Sequence, residues 1–371
     1  MSSRREAAGQ RFMRLALQEA SRGLGRTAPN PAVGAVLVRG GRIVGRGHHA
    51  RAGSPHAEVE ALRRAGARAR GADLYTTLEP CDHFGRTPPC SAAVIEAGVR
   101  RVFVGSRDPN PLVNGRGTAR LRRAGVEVVA GPLRAECDAL NAPWFRFVAS
   151  GRPFVTLKLA ATLDGRIATA GGDSRWVSGP AARAWVHRLR DQVDAVLVGR
   201  GTALADDPRL TARLPGGAGH DPLRVVLDTD LRLPATLRLF RQRSAARTLV
   251  LHAARRRRDL GPRVDLLRCA RGPGGLDLGD ALRRLAERGV VHLLVEGGGA
   301  VAASFLAAGL VDRLALVLAP RVLGGGRSWS GAAGPERMAD AAWLRDLTVE
   351  RLGDDLLLQG TPVLAATRGR V

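Results

Sequence analysis

The stretch from His56 to Cys90, HAEVEALRRAGARARGADLYTTLEPCDHFGRTPPC, decides how the first half of the chain folds. Its opening reads as a helix from about Ala57 to Ala65, ADLYTTLE as a strand, and Pro88-Pro89 open a second helix that Gly98 closes. His56 therefore opens one helix, Cys81 follows a strand end and Cys90 opens the next helix. Upstream, residues 11–21 form an amphipathic helical pattern, and AVGAVLVRGGRIVGRGHH holds two short strands joined at Gly40-Gly41. Downstream, RRVFVGS is a strand and GTARLRRAGVEVV a helix followed by a strand. Strands and helices mixed in this order predict a three-layer α/β sandwich.

Thiolate sulfur and imidazole nitrogen are zinc ligands, and a catalytic zinc keeps three protein ligands and an open fourth position. His56, Cys81 and Cys90 supply three, and the start of a helix favours the Cys90 thiolate. Glu58, two residues past His56, stands where it can move protons without binding metal. The H-x-E…P-C order is that of zinc nucleobase deaminases. Eight residues separate the cysteines where those enzymes usually have two, and His83 in that insert could close the site as a fourth, structural ligand. Cys137 and Cys269 have no partner pattern and read as core packing.

A chain of 371 residues fits two domains, and its 45% hydrophobic and 25% charged content is that of a globular protein. The boundary falls near Ser150, in FRFVASGRPFV, giving domains at 1–150 and 151–371. No segment reads as a membrane span or secretory leader, and four cysteines are too few for a disulfide scaffold. A reduced, soluble, cytoplasmic protein is expected. The net charge of +24 would suggest nucleic acid, but the basic residues are dispersed, and 4% aromatic content with a single tyrosine, Tyr75, leaves few stacking surfaces. One lysine, Lys158, stands against 57 arginines, which marks it as a position where a guanidinium does not serve.

The second domain shows strands at PFVTLKLAATL, AVLVG, LRVVLD, TLVLH, HLLVEG and RLALVLAP. In HLLVEGGGAVAASFLAAGL a strand runs through glycines into a helix, the arrangement that receives a phosphate at free N–H groups. The arginine run between Ala245 and Leu260 reads as a surface loop or helix with phosphate binding as its functional alternative.

TAPNPAVGAVLV, GRGHHARAGSPHAEVEAL, YTTLEPCDHFGRTPPC and DPNPLVNGRGTARLRRAGVEV closely resemble the deaminase half of the bifunctional riboflavin-biosynthesis family, and the long cysteine spacing is a mark of that family. RPFVTLKLAATLDGRIATAGGDSRWVSG, VHRLRDQVDAVLVGRGTALADDPRLTAR and LLVEGGGAVAASFL resemble its reductase half. The resemblance implies a cytidine-deaminase-like three-layer sandwich followed by a dihydrofolate-reductase-like domain, one Zn2+ per chain, and NADPH. It implies deamination of a diaminohydroxyphosphoribosylaminopyrimidine and then reduction of the ribosyl group to ribityl. Catalytic roles fall on Glu58 and Lys158. Substrate contacts fall on Asn30, His49, His83, Arg86, Asp108 and Asn110 in the first domain and on Ser174, Arg190, Leu210, Arg213 and Glu296 in the second. Cofactor contacts fall on Ala160, Trp176, Thr202, Asp206, Thr229 and on Gly298, Gly299, Ala300, Val301, Ala302, Ala303 and Ser304. Nothing is implied for about Leu237 to Arg283, where the match fades. A small phosphoribosylaminopyrimidine substrate, no nucleic acid, no membrane and a homo-oligomer are expected. The competing readings are a zinc deaminase of tRNA or other nucleic acid and a structural zinc-binding module.

Overall fold

In a computed structural model, residues 2–84, 88–217, 219–256, 258–330 and 335–364 are described, with side chains from residue 6 onward. The chain divides into two compact units, Met1–Arg152 and Pro153–Val371.

The first unit runs α1 (Ser2–Ser21), β1 (Gly34–Arg39), β2 (Arg42–His48), α2 (Ala57–Ala65), β3 (Asp73–Leu78), α3 (Cys90–Glu96), β4 (Arg101–Ser106), α4 (Arg116–Arg123), β5 (Glu127–Ala130) and α5 (Arg134–Ser150). Its sheet has the order β2-β1-β3-β4-β5; β1 is antiparallel to both neighbours, while β3, β4 and β5 are parallel. Alternation along the strands makes the layers. Ala35, Leu37, Leu74 and Val102 pack with α2 residues Ala57, Ala61 and Ala65, whereas Val36, Val38 and Tyr75 pack with Phe12, Met13 and Ala16 of α1 and Cys137 of α5. This is the three-layer sandwich. Helix α5 occupies the stretch that the sequence reads as an approach to a linker; Pro143 lies inside it, which masks the helical pattern.

The second unit runs β6 (Phe154–Thr162), β7 (Arg166–Ala168), α6 (Pro180–Gln192), β8 (Ala195–Gly199), α7 (Arg200–Asp206), β9 (Leu223–Leu227), β10 (Thr248–His252), β11 (Val264–Arg268), β12 (Arg271–Gly272), β13 (Gly275–Leu276), α8 (Leu278–Glu287), β14 (His292–Val295), α9 (Gly299–Ala307), β15 (Arg313–Ala319), β16 (Arg327–Ser328), β17 (Trp343–Leu352) and β18 (Asp355–Val363). Nine strands make one sheet, β11-β10-β9-β8-β14-β6-β15-β18-β17, parallel from β11 to β15 and closed by the antiparallel hairpin β17–β18. Both faces are covered: Leu197, Val225, Leu249 and Leu293 face α8 and α9, and Val196, Val226, Val250 and Leu294 face Leu231, Leu233 and Phe240. Burying one such leucine contributes about 2–3 kcal/mol. The sequence reading ends its strands at RLALVLAP and so misses the hairpin, whose first strand is largely exposed and lacks a buried apolar run.

His292 begins β14, with Nε2 2.9 Å from the Thr156 hydroxyl, and burial, helped by Arg313, pushes its pKa down to about 3. A histidine that stays neutral in the fold but protonates near 6.5 when unfolded lets the unfolded chain bind more protons. Stability is therefore lost as pH falls from 6.5 towards 3. Between pH 6.5 and 5 this group alone removes about 1–2 kcal/mol. Denaturant titrations at the two pH values should show the loss for the native chain and a flatter dependence for His292→Gln; an equal slope would contradict the assignment.

Candidate active site

The carboxyl ends of β3 and β4 lie side by side, and α2 begins next to them. In parallel sheets this is the edge that receives ligands. His56 is the N-cap of α2, Cys90 the first residue of α3, and Cys81 follows β3. His56 Nδ1 lies 3.2 Å from Cys90 Sγ and 3.5 Å from Cys81 Sγ, and the three ligand atoms are within 4.8 Å of one another. Bonds of about 2.0–2.3 Å at the tetrahedral angle place zinc ligands about 3.3–3.8 Å apart. The donors fit zinc in number, chemistry and spacing. The amide of Cys90 donates to Cys81 Sγ at 3.4 Å; the Cys90 hydrogen bond holds the Cys81 thiol below its usual range, while Cys90 itself is pushed up by Cys81 and by burial. Among the described residues His83 is not part of this group, so the fourth-ligand alternative finds no support in the geometry.

Glu58 sits in the first turn of α2, 3% exposed, and burial pushes its carboxyl up to about 6. It sits beside the thiols without being one of the three donors. His49 is buried and T-stacked on His56 at 5.1 Å. Its Nε2 is 3.0 Å from Asn30 Nδ2 and its Nδ1 3.2 Å from Pro55 O. An amide donor on one nitrogen and a carbonyl acceptor on the other assign the neutral Nδ1–H tautomer, in keeping with a pKa lowered by burial.

Asp108 lies beyond β4. Its Oδ1 accepts from the Asn110 amide at 2.9 Å and from Trp144 Nε1 at 3.1 Å, and burial raises its pKa. Asn110 Oδ1 in turn accepts from the Leu112 amide at 3.0 Å, so this oxygen shapes the turn. Arg86 lies outside the described residues. Thus Asn30 and His49 join the α2 start that carries His56 and Glu58, while Asp108 and Asn110 follow the carboxyl end of β4.

Two supports are missed by sequence reasoning. Trp144 comes from α5, the helix read as a connection. Glu79, the residue before Pro80-Cys81, is buried; its oxygens accept from the Gly115 amide at 3.0 Å, the Thr118 amide at 3.2 Å and the Thr118 hydroxyl at 3.3 Å. It binds the start of α4 to the loop that carries Cys81. The approach is close: a Cβ on Gly117 would come within 1.8 Å of Pro80 O. Removing the carboxylate strands buried N–H donors, so Glu79→Ala should destabilise the first unit by about 2–3 kcal/mol. A melting transition unchanged by that substitution would contradict this role.

In the second unit, Arg190 of α6 and Glu296 after β14 form a bidentate pair, Nε–Oε1 2.6 Å and Nη2–Oε2 2.9 Å, and Arg190 Nη1 donates to Thr211 O at 3.1 Å. Burial works to raise the Glu296 carboxyl, but Arg190 and then Lys158 hold it below its usual range. Lys158, midway along β6, has its pKa lowered by burial against the pull of Glu296. Arg213 reaches the same cluster through His187, another residue that sequence reasoning misses. The Arg213 Nη2 is 3.1 Å from His187 Nε2, and His187 Nδ1 is 3.1 Å from Thr211 O. Leu210 is 2% exposed, with its side chain in the core and φ 54°. Ser174 lies in the loop before α6.

The glycine turn after β14 leads into α9, whose first N–H groups have no intrahelical acceptor. Thr202 Oγ1 of α7 accepts from the Gly298 amide at 3.0 Å, fixing the two helix starts together. A Cβ on Gly297 would come within 2.6 Å of Val301 Cβ, so only glycine fits there. Thr202 and the segment Gly298–Ser304 thus lie where a strand passes through glycines into a helix start, an arrangement able to receive a phosphate group. Thr229 follows β9 and Asp206 ends α7, where its carbonyl accepts from Arg175 Nη2 at 3.0 Å. Ala160 lies on β6, and Trp176 is 60% exposed under the Arg183 guanidinium at 4.8 Å.

A three-layer unit with a zinc-type His/Cys/Cys group beside a buried glutamate, followed by a largely parallel-sheet unit whose glycine turn leads into a helix start, is the arrangement of a two-domain deaminase and reductase. Residues 7–106 match the cytidine and deoxycytidylate deaminase zinc-binding region, and residues 153–358 match the RibD C-terminal domain. The riboflavin biosynthesis protein RibD of Aquifex aeolicus is 42% identical over 351 residues, 94% of this chain and 96% of its own length. RibD of Acinetobacter baumannii superposes with a TM-score of 0.86 at 37% identity, covering 96% of this chain and 99% of that one. A Thermotoga maritima diaminohydroxyphosphoribosylaminopyrimidine deaminase/5-amino-6-(5-phosphoribosylamino)uracil reductase does so with 0.85 at 37% identity, covering 97% and 100%. The chain belongs to the RibD family, the bifunctional deaminase–reductase enzymes of riboflavin biosynthesis.

Proposed function

We propose that the first unit deaminates a diaminohydroxyphosphoribosylaminopyrimidine, and that the second then reduces its ribosyl group to ribityl with NADPH. The deaminated, reduced product is 5-amino-6-(5-phosphoribitylamino)uracil. The observation that carries the reading is the buried Glu58 carboxyl beside the His56, Cys81 and Cys90 group.

His56, Cys81 and Cys90 would hold a zinc ion, which would supply Lewis acidity for activating a water near neutral pH. Glu58 takes a proton from that water and passes protons to the ring nitrogen and the departing amine, so the carbon–nitrogen bond breaks, ammonia leaves and a carbonyl remains. A carboxyl poised at about 6 both accepts and returns a proton near neutral pH. Asn30 and the neutral His49 line the approach on one side, and Asp108 and Asn110 on the other; His83 and Arg86 belong to the insert that meets the phosphoribosyl group. In the second unit, a bound NADPH would supply the hydride for the sugar carbon. Lys158 polarises the ribose oxygen, which takes up a proton as the ring opens; Glu296, itself kept ionised by Arg190, favours the charged lysine, while burial and the Arg190 charge oppose it. Arg213, with Ser174 and the main chain at Leu210, holds the substrate, whose phosphate suits a guanidinium.

A small phosphorylated substrate, not nucleic acid, is the partner: an insert built to meet a phosphoribosyl group and an attached reductase serve no purpose for a polynucleotide. Among the described residues no helix is long and apolar enough to cross a membrane. We place the protein in the cytoplasm on its sparse cysteine content, two of the four cysteines being read as zinc ligands. The homo-oligomer rests on the family resemblance alone. Supplying the diaminopyrimidine substrate without any dinucleotide tests the first step: stoichiometric ammonia and the mass of an amine-to-carbonyl exchange are expected, and release of neither would overturn the reading.

A further inference from the structure

The arginine run of the second unit, outside every role assigned above, lies at a cavity. The end of β10, the residues that follow it and the second half of β11 line a cavity of about 470 Å3, among them His252, Arg255, Arg256 and Arg268. A neighbouring cavity shares Arg255 and Arg256 and reaches Asp230 and Arg232 beyond β9. Both therefore open at the carboxyl edge of the parallel sheet, the same edge that carries the α9 and α7 starts. From the glycine turn after β14 to the end of β10 is three strand positions, through β8 and β9. At the usual spacing that is about 14 Å, a span suited to the adenosine half of an extended dinucleotide.

The charges are set for an anion. Arg256 Nη2 donates to the carbonyls of Asp230 and Leu231, both at 3.1 Å, which fixes its guanidinium across the ends of β9 and β10. Arg255 and Arg268 have no carboxylate partner among the described residues. An acidic side chain at such a place commonly bonds a ribose 2′-hydroxyl and repels a 2′-phosphate. Here the nearby acid, Asp230, is taken by Arg271 Nη2 at 2.5 Å and faces Arg232 Nη2 at 3.7 Å. Guanidinium forks match a phosphate monoester.

We propose that Arg255, Arg256 and Arg268 form the subsite for the 2′-phosphate of the dinucleotide's adenosine ribose, and so set the preference for NADPH over NADH. The proposal rests on the dinucleotide-dependent reductase reading and names the part of the cofactor that this cavity recognises. Arg255 and Arg268 are exposed, so their replacement leaves the core intact.

Calorimetric titration of the full chain with NADP+ and with NAD+ tests it. For Arg255→Ala combined with Arg268→Ala, NADP+ affinity is expected to fall at least roughly tenfold while NAD+ affinity stays within about twofold, and the salt dependence of NADP+ binding should shrink. Adenosine 2′,5′-bisphosphate should compete far better than adenosine 5′-monophosphate against the native chain and lose that advantage against the variant. The single variant Arg268→Gln should show a smaller change of the same sign. Equal losses for both dinucleotides, or no loss, would overturn the subsite while leaving the reductase reading standing. A native chain that binds both dinucleotides equally would do the same. Binding of neither dinucleotide by the native chain would overturn both.

Discussion

Glu58→Gln should retain its zinc and lose about a thousandfold in ammonia release. The amide keeps the size and much of the hydrogen bonding of the carboxyl but can neither accept nor return a proton, and positioned acid–base groups are worth about 10²–10⁴-fold. His56, Cys81 and Cys90 are untouched by the change, so metal content measured by atomic absorption should stay at one per chain. Ammonia release within a fewfold of the native rate would make Glu58 a structural carboxyl and would favour a structural zinc module. Loss of zinc together with activity would instead place Glu58 in the metal shell, against the three-donor group seen here.

Lys158→Arg should lose about a hundredfold or more of the reduction and keep the deamination. The ammonium is a compact charge among packed side chains, while a guanidinium is broader, planar and never neutral. Burial already lowers the lysine pKa, and Glu296 opposes that shift, so the site is electrostatically poised around one small cation. A larger cation there would also disturb the Arg190–Glu296 pair. The measurement is NADPH oxidation with the deaminated intermediate supplied directly, beside ammonia release from the first substrate. Reduction unchanged by the substitution would remove Lys158 from the chemistry.

The metal group was legible because few residue types bind zinc and because helix starts and strand ends can be read from local sequence. His56, Cys81, Cys90 and Glu58 announce themselves by type and by position on α2, β3 and α3. The supporting contacts were not legible, since they join residues far apart in the chain. Glu79 meets Gly115 and Thr118, Trp144 meets Asp108, and Arg190 meets Glu296 across 106 positions. No local pattern encodes such pairings. Helix α5 hid behind Pro143 and a nearby glycine-marked loop, and the β17–β18 hairpin behind its mostly exposed first strand. Leu210 shows the opposite case: the resemblance marks it as a contact residue, yet its side chain belongs to the core. The resemblance to a known family implies positions for the substrate and cofactor, and the structure shows which of those side chains are buried in the core and which are not.

The most direct test of two sequential activities in one chain is NADPH consumption by the zinc-loaded protein given only the diaminohydroxyphosphoribosylaminopyrimidine. Consumption should follow ammonia release, disappear in Glu58→Gln, and return when that variant is given the deaminated intermediate. Consumption that persists undiminished in Glu58→Gln, or ammonia release with no NADPH oxidation by the native chain, would contradict the account.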